Sequence, residues 1–139
     1  MKAIATCSQV TVTIEECNMS DREVTVADLR DLVRQFVDAR DWQKFHAPKN
    51  LTMALAIEAA ELMEHFQWIE VPESRDVPND PEKLAAVGEE LADVICYALA
   101  IANELGIDVS ETMAAKMKKN ELKYPAEQFK GRYGLEDKS

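Results

Sequence analysis

The sequence predicts an all-α fold, a four-helix bundle protomer assembling into a dimer or tetramer. Two features of composition and one of pattern lead there. With 4 glycines and 5 prolines, long stretches run without a helix breaker, and a turn-rich β fold lacks its punctuation. Apolar residues recur at spacings of three and four in four separate segments. The breaks between segments are short, as in antiparallel bundles, and 139 residues suffice for one shared core but not for two.

Residues 1–22 form an N-terminal extension of unassigned role. Within it, residues 5–14 are polar and β-branched (Gln9-Val-Thr-Val-Thr-Ile14), which fits a short strand, an extended arm or no fixed structure alike. Thr25, followed three residues later by Asp28, gives the first helix a capping signal. Leu29, Leu32, Val33, Phe36 and Val37 continue its stripe towards Trp42, Phe45 and His46 at its end. Pro48 is expected to stop this helix, and Asn50 to cap the next. The second helix spans residues 51–68, with Leu51, Leu55, Leu62 and Phe66 on one stripe. Residues 72–81 carry three prolines and no apolar periodicity, and read as a loop.

Asn79 or Asp80, with Pro81 at the first helical position, opens a long third helix. It runs through Leu84, Val87, Leu91, Val94, Ile95, Ala98, Leu99 and Ala102 until Gly106 stops it. A fourth helix starts near Asp108 or Ser110 and fades before Pro125, which closes a domain of residues 23–125. Residues 126–139, with two glycines and many charges, read as a loosely held tail. The second and third helices are apolar on more than one face, and alanines such as Ala54, Ala56, Ala98 and Ala100 permit close approach. Burial against a second subunit accounts for that surplus.

A formal charge of −10 without a Lys/Arg-rich block argues against a polynucleotide partner. An anionic ligand remains compatible if cations carry it in. Cys7, Cys17 and Cys96 form no CxxC pair, so no disulfide framework is expected and a cytoplasmic setting follows. Cys96, in an apolar helical run, reads as a small buried hydrophobe. Residues 1–20 lack the apolar core of a signal peptide, and no stretch approaches the roughly 18 apolar residues of a membrane span.

The chemistry lies in acids set inside apolar helices. Glu58 and Glu61 are three apart on the second helix, and Glu90 and Asp93 three apart on the third. That spacing puts each pair on one face, with Cβ atoms roughly 5–6 Å apart. If the helices run antiparallel with these faces opposed, four carboxylates converge and require cations. An all-oxygen set favours Mg²⁺, with Mn²⁺ as a substitute. Any one such pair is ordinarily a solvated face; two pairs on consecutive apolar helices argue for metal. A redox di-iron bundle would want Glu-x-x-His on two helices, whereas His65 falls four after Glu61 and the third helix has no histidine.

Trp42 and Trp68 read either as packing or as a slot in which a base stacks. Lys116, Asn120 and Tyr124 recur every four residues in the one positively charged run, either as a solvated helix end or as a stripe reaching phosphate or base.

Taken in order, Trp42…Phe45-His46…Pro48…Asn50, Glu58-x-x-Glu61…Phe66-Gln67-Trp68, Glu90-x-x-Asp93 and Lys116-Met…Asn120…Tyr124-Pro125 resemble the MazG-like nucleotide pyrophosphohydrolases. Within that all-α superfamily the nearest branch is that of dCTP pyrophosphatase, and the likeness runs over residues 28–133. The resemblance implies a homotetramer, a dimer of dimers, with sites at subunit interfaces. It implies that Glu58, Glu61, Glu90 and Asp93 ligate Mg²⁺, with Glu58 or Glu61 also catalytic. It further implies that Trp42, His46, Trp68, Lys116, Asn120 and Tyr124 line a nucleotide site. The implied function is house-cleaning hydrolysis of a nucleoside triphosphate, dCTP or a modified dCTP, to monophosphate and pyrophosphate. The same chemistry on dATP, dUTP or a non-standard triphosphate is the near alternative, and a non-catalytic helical binding module the distant one. The ending Lys130-Gly-Arg132-Tyr133 matches the family only in part.

Overall fold

The computed structural model describes residues 19–132, all helices and connections. The segment at residues 5–14, Cys7, Cys17 and the tail from Tyr133 onward lie outside the described residues.

Helix α1, Val26–Asp38, begins as expected at Thr25. The Asp28 amide donates to the Thr25 hydroxyl at 3.2 Å and the Thr25 amide to the Asp28 carboxylate at 2.8 Å, a reciprocal cap. Its end differs from expectation. The chain leaves at Asp38 and turns through Asp41, whose φ of 52° is left-handed, then through a 3₁₀ turn at Gln43–Phe45. Trp42, Phe45 and His46 therefore lie beyond α1. Pro48 does not stop a helix but opens one, α2, Pro48–Glu64, with Ala47 as N-cap. A proline at the first position forfeits only an amide that would have no partner in the helix. Asn50 sits in that first turn, its amide donating to the Phe45 carbonyl at 3.2 Å rather than capping.

Helix α2 ends four residues short of Trp68, in turns around Met63 and Phe66. The expected loop at residues 72–81 is instead a short helix α3, Val71–Asp76, and a 3₁₀ turn, Val77–Asn79. Pro72 and Pro78 stand in the opening turns of these pieces, where proline is tolerated. Helix α4, Pro81–Leu105, starts at Asp80, whose carboxylate accepts from the Lys83 amide at 3.1 Å. It ends at Gly106, left-handed at φ 63°, after which the Ile107 amide returns to the Ala102 carbonyl at 2.9 Å. Helix α5, Val109–Lys123, is capped by Asp108, and α6, Ala126–Phe129, sets Phe129 edge-on to Tyr124 at 5.2 Å. The start of the expected loose tail is thus one turn of helix.

The principal packing is α2 against α4, with α1 crossing α4. His46, just before α2, shares a cleft with Ala100, Asn103 and Glu104 near the end of α4, while Glu58 meets Glu90 and Asp93 further back. Residue numbers rise along α2 as they fall along α4, so the pair is antiparallel. Leu51, Val37, Leu99, Ala100 and Ala102 are buried in this arrangement, and Val77 closes the connection. Among the described residues, helix α5 buries none of its own and has only marginal contact with the other helices. Met53, Ile57, Leu91 and Ile95 remain exposed on α2 and α4. Cys96 is exposed too, contrary to expectation: on a helix apolar around more than one face, being apolar does not decide which face is covered.

Candidate active site

Three of the four expected acids converge. Glu58 of α2 and Glu90 and Asp93 of α4 each offer a carboxylate oxygen, all within 4.8 Å of one another. The arrangement follows from the two helical repeats: Glu58 interrupts the Leu51–Leu55–Leu62 stripe, and Glu90 and Asp93 stand a turn apart on the face α4 turns to α2. Glu61 lies one turn on, exposed, outside the three-oxygen group. Its charge nonetheless reaches Glu58. Partial burial pushes the Glu58 carboxyl above the usual carboxylate range, and Glu61, Asp93 and Glu90 push it further. Like charges so close resist ionising together, and an all-oxygen donor set of this kind could hold a hard cation.

Tyr97, one turn beyond Asp93 on α4, belongs to the same neighbourhood. Burial raises its phenol above the ordinary value, and the charges of Glu58 and Asp93 add to the effect. It is absent from the residues expected at the site, although its four-residue step from Asp93 is a usable signal.

A cleft of about 240 Å³ opens between α1 and the end of α4. Helix α1 lines it with Val33, Arg34, Val37 and Asp38, α4 with Ala100, Asn103 and Glu104, and the connection with Gln43 and His46. Asp93 and Ala100 are seven residues apart on α4, so the cleft starts roughly 10 Å along the helix from the acids. His46 is held by its Nδ1, 2.8 Å from the Trp42 carbonyl. A carbonyl only accepts, so Nδ1 carries a proton, and in the neutral ring Nε2 presents a lone pair. Trp42 lies edge-on to Phe36 at 5.9 Å, and the Arg40 guanidinium sits 3.5 Å from the Phe36 ring centre.

The other expected residues are not gathered here within one chain. Trp68 follows α2 at the end of the helix pair opposite Trp42 and is 87% exposed, so it is not core packing of this chain. Lys116 and Asn120 lie on α5 and Tyr124 at its end, on a helix that makes only marginal contact with α2 and α4.

Fold and site together define an all-α protein with a carboxylate cluster able to hold a metal ion between two antiparallel helices. The MazG-like family pattern matches residues 53–134, and the chain belongs to that family. It is 38% identical over 109 residues to mouse (Mus musculus) dCTP pyrophosphatase 1, covering 78% of this chain and 64% of that protein. Against the human (Homo sapiens) dCTP pyrophosphatase 1 the identity is 40% over 104 residues, 75% of this chain and 61% of the relative. The chain thus spans under two thirds of the length of these curated relatives. A crystal structure of a pyrophosphatase from Archaeoglobus fulgidus superposes with a TM-score of 0.67 at 39% identity, covering 77% of this chain and 98% of that one.

Proposed function

We propose that the chain is a Mg²⁺-dependent nucleoside triphosphate pyrophosphohydrolase that converts dCTP, or a base-modified dCTP, to the monophosphate and pyrophosphate. The observation that carries this reading is the convergence of Glu58, Glu90 and Asp93 within 4.8 Å on facing helices. The names of the relatives, dCTP pyrophosphatase 1, supply the substrate class.

Glu58, Glu90 and Asp93 would hold the ion, with Glu61 one turn on along α2 left free for the water. The chemistry Mg²⁺ supplies when bound is neutralisation of the triphosphate and stabilisation of the leaving pyrophosphate. Water attacks the α-phosphorus, the bond to the bridging oxygen breaks, and pyrophosphate leaves. Glu61, whose carboxylate stands outside the three-oxygen group, takes the proton of that water. The cleft beside His46, roughly 10 Å along α4, receives the base. There the Nε2 lone pair of His46 accepts a hydrogen bond from an exocyclic amine such as that of cytosine.

In one chain, Trp68, Lys116, Asn120 and Tyr124 stand apart from this path. The exposed Met53, Ile57, Leu91 and Ile95 and the weakly packed α5 support a homo-oligomer, a tetramer formed by two dimers, in which a second copy brings them in. The setting we assign is nucleotide house-cleaning in the cytoplasm, in keeping with a sequence whose three cysteines form no CxxC motif.

The test is release of pyrophosphate from a panel of canonical-base and modified triphosphates with Mg²⁺, Mn²⁺ or a chelator. Mg²⁺-dependent turnover fastest on dCTP or a modified dCTP is expected. Turnover confined to dATP, dUTP or a non-standard triphosphate moves the substrate and keeps the chemistry. No pyrophosphate from any of them leaves the helical binding module.

A further inference from the structure

Beside the cleft between α1 and α4, one pair of residues ties the two helices together. The Arg30 Nε donates to the Asn103 Oδ1 at 2.9 Å, and the Asn103 amide nitrogen donates back to the Arg30 backbone carbonyl at 2.9 Å. Arg30 also sends Nη2 to the Ala102 carbonyl at 3.3 Å. All three bonds are partly buried, and they join residues 72 and 73 positions apart in sequence.

The chemistry at this point is specific. Helix α4 carries no basic residue in its own last turn, so the negative end of its dipole has no local cation. Arg30 supplies that cation from α1. Its guanidinium shares the Ala102 carbonyl with the Ile107 amide, at the point where Gly106 ends the helix. The reciprocal amide bond then fixes the separation of the two backbones, because Asn103 reaches both the side chain and the main chain of Arg30.

The clamp adjoins the cleft directly. Asn103 is itself a lining residue, and Val33 and Arg34, one turn after Arg30, form the opposite wall. We propose that Arg30 and Asn103 are positioning residues that set the width of this cleft and so decide which base it accepts. The proposal rests on the pyrophosphohydrolase reading and adds a specificity determinant to it. Neither residue needs to meet substrate through its clamping atoms; a shift of α1 moves Val33 and Arg34 away from His46.

The experiment measures pyrophosphate release by full-length wild type, Asn103→Ala, Asn103→Asp and Arg30→Lys on dCTP and three other triphosphates, with melting curves alongside. Asn103→Ala should raise KM for dCTP by on the order of ten- to hundredfold with kcat retained, the size of effect a small change of pocket fit has, in the pattern of lost uniform binding. The preference for dCTP over the next substrate should shrink in parallel. Asn103→Asp keeps an oxygen for Arg30 but loses the return donor, and Arg30→Lys keeps the cation but loses the fork, so both should fall between. If Asn103→Ala fails to fold, these two conservative variants carry the same comparison. Unchanged KM and unchanged preference in the folded variants, even with lower melting temperatures, overturn the proposal and leave a structural clamp. No turnover by wild type on any triphosphate sinks the enzymatic reading itself, and the clamp's role with it.

Discussion

Glu58 on α2 and Asp93 on α4 face each other with carboxylate oxygens within 4.8 Å, and Glu90 completes the triangle. Their mutual repulsion has a consequence for stability that is measurable without substrate. The Glu58 carboxyl is raised by partial burial and by Glu61, Asp93 and Glu90, so the folded state favours its protonated form. A group raised in this way contributes stability below the ordinary carboxylate pKa and loses it as pH rises through the folded value. Without divalent cations, melting temperature should therefore fall as pH rises from just below the ordinary glutamate range, and Glu58→Gln should flatten that slope. Mg²⁺ should restore stability at neutral pH in wild type more than in Glu58→Gln. Equal slopes in the two proteins would show that the cluster does not titrate as a unit.

The two roles assigned to the acids separate by substitution. Asp93→Ala should abolish Mg²⁺-dependent turnover in a protein whose helical circular dichroism is intact, and should weaken Mg²⁺ binding. Glu61→Gln should keep Mg²⁺ binding near wild type while kcat drops by roughly 10²- to 10⁴-fold, the usual contribution of a general base. Near-wild-type kcat in Glu61→Gln would return the base role to Glu58.

Local chemistry is legible in the sequence; anything settled between distant segments is not. Thr25, Asp80, Asp108 and Gly106 bound their helices as expected, because a cap is decided within four residues. Glu58, Glu90 and Asp93 are legible because carboxylates at helical spacing inside apolar runs are costly to bury unless a cation meets them. Pro48 is misplaced by sequence because proline both follows helices and opens them, and only the conformation of the preceding residues separates the cases. Arg30 and Asn103 give no signal at all: a tertiary pair 73 residues apart has no periodicity. Cys96 and the exposed apolar residues of α2 and α4 escape for a related reason. Hydropathy shows that a face is apolar without showing what covers it.

The uncovered faces lead to a prediction about assembly. Ile57 and Ile95 are 57% and 45% exposed in the single chain, and α5 is scarcely packed. Light scattering should find a tetramer, or a dimer on dilution, at micromolar concentration. Ile95→Glu should lower the mass and turnover together, because the proposed site draws residues from a second copy. A stable, fully active monomer would contradict both the assembly and the shared site.

Trp68 offers the sharpest division between a residue that binds and one that packs. At 87% exposure it is not part of this chain's core, so Trp68→Ala should leave the stability of an isolated chain almost unchanged. Two roles remain open to so large an exposed indole: covering a second copy, or stacking on the base bound by that copy. Stacking contributes roughly 1–3 kcal/mol per base, so its loss should raise KM about five- to hundredfold with kcat preserved, as for uniform binding. Trp68→Phe retains an aromatic face and most of the volume, and should hold most of the affinity. The oligomer's mass separates the roles. If Trp68→Ala keeps the wild-type mass and loses affinity for dCTP, the indole stacks; if the mass falls and affinity falls only with dilution, it is interface. Equal KM in wild type, Phe and Ala at an unchanged mass would remove Trp68 from the nucleotide site, leaving base recognition to the cleft beside His46.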